Sequence, residues 1–77
     1  MSIRVFVNAS PVEVERGSSA LDCVRSWQSE EGIAVAAGQR IITDSRGLPI
    51  PNDSPAQAGS IFRTIPNRAS GGAVTKE

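Results

Sequence analysis

Seventy-seven residues make one domain with one thin core, because a chain of this size hides only about 60% of its unfolded surface on folding. Eight acidic residues balance eight basic ones, so no global field draws the protein onto nucleic acid or an anionic membrane. Histidine is absent and Cys23 is the single cysteine, which excludes a Ser-His or Cys-His nucleophilic pair, the usual zinc ligand sets and an internal disulfide.

The first stretch, "IRVFV", alternates: Ile3, Val5 and Val7 fall on one side, and Arg4, Phe6 and Asn8 on the other. This predicts a half-buried strand. Past "NASP", Val12 and Val14 alternate with Glu13 and Glu15, a second strand returning antiparallel to the first. A two-residue turn at Ala9 and Ser10 would set Val7 opposite Val12 and Val5 opposite Val14. Phe6 would then face Glu13, and Arg4 would face Glu15.

In "RGSSALDCVRSWQSEEG" the period changes to helical, with Ala20, Leu21, Val24 and Trp27 forming one stripe and Cys23 at its flank. Ser18 or Ser19 starts the helix, Ser19 and Asp22 having capping-box spacing, and Gly32 is the expected stop. "IAVAAGQRIITD" predicts a strand near residues 40–43. Residues 33–36 read as a second strand, though their alanines also suit a fraying helix. "DSRG" is a turn with Asp44 first and Gly47 last. The prolines of "LPIPNDSP" restrict residues 48–50 to a short edge strand, and "GSIFRTIP" supplies a last strand over residues 61–65, stopped by Pro66. The expected fold is α+β, a mixed four- or five-stranded sheet with one helix on one face. Residues 1–66 form the domain and residues 67–77 a flexible tail.

Few residues offer chemistry. No glycine spacing makes a phosphate loop, and Glu30 and Glu31, about 100° apart on a helix, read as a solvated helix end. Cys23 reads as an inert, partly buried thiol and Trp27 as a core anchor. Phe6 is the candidate seed of a partner contact, because the register puts it on the face away from the helix, beside Arg4. Arg4, Arg63 and Arg40 would gather on that face if the first and last strands are neighbours; ordinary solvated charge, partly offset by Glu13 and Glu15, is the preferred reading. Seven of the eight basic residues are arginine and Lys76 is the only lysine, so there is no polybasic anchor. No segment has the length of a signal-peptide core or of the roughly 20 apolar residues that span a membrane. With one cysteine, a cytoplasmic protein is expected.

The body, from "IRVFVNASPVEVERGSSALDCVRSW" through "DSPAQAGSIFRTIP", together with the later "GG" at Gly71 and Gly72, resembles the β-grasp, ubiquitin-like sulfur-carrier proteins of thiamin and molybdopterin biosynthesis. "PAQAGSIFRTIP" looks like that family's turn before the last strand, with Ser60 where the family usually has an acidic residue. The resemblance implies a carrier rather than an enzyme, with no bound cofactor. An E1-like adenylating enzyme would use ATP to activate the carboxylate of Gly72, and a sulfur donor would convert it to a thiocarboxylate. A sulfur-accepting biosynthetic enzyme would then receive the sulfur. Gly71 and Gly72 suit threading through a narrow channel, since neither has a Cβ. Residues 73–77, "AVTKE", follow the pair, so a C-terminal peptidase is implied as well. Phe6, Arg4 and Arg63 are the expected docking residues. The alternative is a non-catalytic β-grasp interaction module with an unprocessed tail.

Overall fold

The computed structural model describes residues 1–67. In chain order it contains β1 (Ser2–Val7), β2 (Ser10–Glu15), α1 (Ala20–Trp27), α2 (Ser29–Ala36), β3 (Arg40–Thr43), β4 (Pro49–Ile50) and β5 (Ile61–Pro66). The five strands form one mixed sheet in the order β2-β1-β5-β3-β4. β1 and β5 run parallel at its centre, and every other pair is antiparallel. The α+β class is as expected. There are two helices, however, where the sequence predicted one.

The β1–β2 hairpin turns one residue earlier than expected. Asn8 and Ala9 occupy the turn with φ of 51° and 70°, so Val7 pairs with Ser10, Val5 with Val12 and Ile3 with Val14. A two-residue hairpin turn whose twist matches the strands needs positive φ at both central residues, and Asn is among the residues that tolerate it best. Because the register moves by two, each strand side chain of the hairpin keeps its predicted face while every partner changes; Asn8, predicted beside Arg4 and Phe6, lies in the turn instead, with its side chain bonded to inward-facing Thr64. Arg4 now lies opposite Glu13, and Phe6 opposite Pro11.

α1 begins as its sequence specifies. The Ser19 hydroxyl accepts from the Asp22 N–H, and the Asp22 carboxylate accepts from the Ser19 N–H, both at 3.1 Å. The next two N–H groups, from Ala20 and Leu21, donate to the carbonyls of Ser54 and Asn52. The proline-rich loop thus satisfies helix-terminal donors that would otherwise be unpaired.

Gly32 does not end this helix. The chain straightens at Gln28 (φ −150°, ψ 122°) and re-enters helix as α2. Gly32 sits inside α2, where a Cβ would lie 3.0 Å from the Arg25 Cα, so its role is to let the two helices approach. The helical stop is Gly38, at φ 84°. Its N–H donates to the Val35 carbonyl and the Gln39 N–H to that of Ala34, the paired bonds of a Schellman motif. Residues 33–36 are consequently helix, and the strand reading there was mistaken: Ala34, Ala36 and Ala37 propagate a helix that Gly38 can close.

β3 and the Asp44 turn lie where predicted. The Asp44 carboxylate accepts from the N–H groups of Arg46 and Leu48, at 2.8 and 3.0 Å. The Leu48 bond is the chief reason its carboxyl lies below the ordinary range, with Arg46 adding to the effect. Between helices and sheet, Val5, Val7, Val14, Ile42 and Phe62 pack against Ala20, Cys23, Val24 and Val35. Trp27 is half-buried against this core, a rim residue rather than its anchor.

Candidate partner-binding face

Alternation along β1 and β5 decides what the uncovered sheet face displays. Val5, Val7, Phe62 and Thr64 point to the helices, so Arg4, Phe6, Ile61, Arg63 and Ile65 point away from them. Parallel pairing sets Phe6 beside Ile61, and antiparallel pairing sets Ile65 beside Ile41. Ile61 is 44% and Ile65 40% exposed, while Phe6 and Ile41 are half-buried. These residues make an apolar strip along the centre of the sheet that Arg63 interrupts between Ile61 and Ile65.

Phe6, Ala9, Ile61 and Arg63 line an open hollow of about 330 Å³ at the hairpin end of this strip. Of the predicted docking residues, the structure therefore brings Phe6 and Arg63 together. Arg4 is exposed on the same face but lies level with Gly59, whose N–H donates to its carbonyl. That puts it about 13 Å along the strands from Arg63. Arg40 does not join them, contrary to expectation.

Arg40 instead turns to the helix side and pairs with Glu31 of α2. Its Nε meets the carboxylate as a charge contact without an aligned hydrogen bond, while its Nη2 donates to the Thr64 carbonyl at 3.1 Å. The Thr64 hydroxyl donates to the same Glu31 oxygen at 2.6 Å and accepts from Asn8 Nδ2 at 2.9 Å. Asn8 Oδ1 in turn accepts from the Thr64 N–H at 3.1 Å. Four side chains from α2, β3, β5 and the hairpin turn are thereby joined in one polar clasp. Glu31, with 19% of its side chain exposed, is thus a structural carboxylate, and only Glu30 fits the solvated reading.

Cys23 is completely buried. Desolvation, reinforced by the charge of Asp22, pushes its thiol up to about 11, so it is inert as a nucleophile. The larger hollow, about 560 Å³ between Met1, Arg16 and residues 55–58, gathers no carboxylate, thiol or hydroxyl. Among the described residues no cluster of acids and cysteine is arranged to hold a metal, and no helix is long and apolar enough to cross a membrane. Gly71 and Gly72, the expected carrier terminus, lie outside the described residues.

Compared with known protein families, curated proteins and solved structures, the chain matches none. The candidate site accordingly rests on this chain's own geometry. Sequence reading found Phe6 and Arg63 and passed over Ile61 and Ile65. The signal for the isoleucines was present in the alternation of "IFRTI", once Phe62 is taken as the inward residue.

Proposed function

We propose that this chain is a β-grasp protein of sulfur-carrier type, bound by an E1-like adenylating enzyme through its uncovered sheet face. On this reading Gly72 becomes the terminus after a peptidase removes residues 73–77. The observation that carries the recognition step is the strip of half-buried Phe6 and exposed Ile61 and Ile65, with Arg63 between the two isoleucines. It lies on the two central strands, and β5 is the strand that leads toward the tail. Asn67, whose N–H donates to the Gln39 carbonyl, is the last described residue; four further residues reach Gly71, up to about 14 Å away.

The strand order β2-β1-β5-β3-β4 with parallel central strands supports the β-grasp assignment. The second helix, α2, is an addition to the single-helix pattern. The chemistry belongs to the partners. The Gly72 carboxylate attacks the α-phosphorus of ATP and pyrophosphate leaves; hydrosulfide from the sulfur donor then displaces AMP from the acyl adenylate, giving the thiocarboxylate that a biosynthetic enzyme consumes. This chain supplies the carboxylate and the docking face.

A second reading follows from residues 73–77, which block the carboxylate in the encoded sequence: a binding module that uses the same face with its tail intact. Intact mass of the protein purified from its own cells separates the two. A species ending at Gly72, accompanied by one about 16 Da heavier where sulfur replaces oxygen, is the result expected for a carrier. A population ending only at Glu77 refutes the carrier role and leaves the module.

A further inference from the structure

The two arginines on the uncovered face have different surroundings. Arg4 faces Glu13 across the β1–β2 pair, so an acid of this chain already lies opposite it. Arg63 faces Thr43 across the β3–β5 pair and lies level with Asn8 of the turn, with Ile61 and Ile65 on either side of it along β5. Arg63 is exposed and makes no ion pair among the described residues. Arg63 lines the hollow together with Phe6, Ala9 and Ile61. The site thus combines an apolar floor with one cation at its edge. An apolar side chain can fill the hollow, and Arg63 can accept a carboxylate in forked geometry.

Resting on the docking reading above, we propose that the hollow seats a partner segment in which an apolar side chain stands beside an Asp or Glu, with the apolar group against Phe6 and Ile61 and the carboxylate on Arg63. Charge complementarity selects this occupant. A basic segment would place its charge against Arg63 and lose on approach, and a neutral apolar segment would cover Arg63 without a counter-charge. A nucleic-acid backbone is a poorer fit, because its successive phosphates would run from Arg63 toward Glu13 and Glu15, which are exposed on this face, whereas a single carboxylate at Arg63 stays clear of them.

The test is selection of random twelve-residue peptides, displayed on phage, against the full chain, with binders sorted by their loss on the Phe6→Ala and Ile61→Ser variants. Ile61→Ser is the control for folding, because Ile61 is exposed whereas Phe6 is half-buried. The expected result is enrichment of an acid within two residues of a Leu, Ile, Phe or Trp, and binding that falls about fivefold on Arg63→Gln and weakens with added salt. Binders that need Phe6 and Ile61 but carry no acid, and are indifferent to Arg63→Gln, overturn this proposal while leaving the docking face intact. Selection that yields no binder sensitive to either apolar variant overturns both.

Discussion

Ala9 is the residue at which local preference and native conformation disagree most plainly. It holds φ of 70° in the β1–β2 turn, a left-handed conformation that costs an L-residue with a Cβ about 1–2 kcal/mol. Glycine removes that strain but gives back part of the gain through a freer unfolded chain. Ala9→Gly is therefore expected to stabilise the protein by about 0.5–1 kcal/mol, read as a higher urea midpoint at unchanged slope. Cys23 gives a second expectation, in pH. Burial raises its thiol from 9.0 to about 11, so the folded chain keeps a proton that the unfolded chain has already released. The associated stability is complete below pH 9.0 and disappears as pH climbs toward 11. Urea melts between pH 8 and 11 should show this loss, and Cys23→Ala should flatten it; an unchanged slope in the variant would assign the loss to other groups. Neither feature could be valued from composition. Asn8 was visible as a turn residue, but only the register showed that Ala9 shares its conformation.

Among the elements, those with local punctuation were legible and those defined by packing were not. The Ser19–Asp22 capping box, the Arg40–Thr43 strand and the Asp44 turn carry their instructions within a few residues, and all three occur as read. α2 carries no such instruction. Its short apolar run, Ile33 to Ala36, fits either period, and the choice falls to helix because Gly32 lets α2 approach Arg25 and Gly38 closes the end. The polar clasp is a similar case, since Asn8, Glu31, Arg40 and Thr64 are too far apart in sequence to signal one another. Thr64→Val removes both the donor to Glu31 and the acceptor for Asn8. It should cost about 1–3 kcal/mol. Paired with Asn8→Ala, its effect should be clearly non-additive in equilibrium unfolding; simple additivity would show that the two side chains contribute separately.

At the scale of the whole molecule, one core ties every element together. A chain of this length is expected to be stable by about 4–11 kcal/mol. Ile42 is completely buried where β3 meets the helices, and Ile42→Ala should remove about 2–5 kcal/mol of that total. The thermal midpoint should fall by at least about 10 °C; a smaller fall would mean that the site collapses around the missing side chain. The amino-acid sequence by itself determined the class of fold, the face each residue of β1 and β2 presents, the start of α1 and the lack of the residues for a Ser-His or Cys-His pair. These follow from alternation, capping residues and the side-chain inventory, all of which act over short range. Tertiary structure alone decided the hairpin register, the existence of α2 and the diversion of Arg40 into the clasp. It also placed Ile61 beside Phe6 and left Arg63 without an ion pair among the described residues. Each of those depends on which residues strand pairing and helix packing bring together, and for Asn8 with Thr64 or Phe6 with Ile61 no local period records a contact between residues more than 50 positions apart.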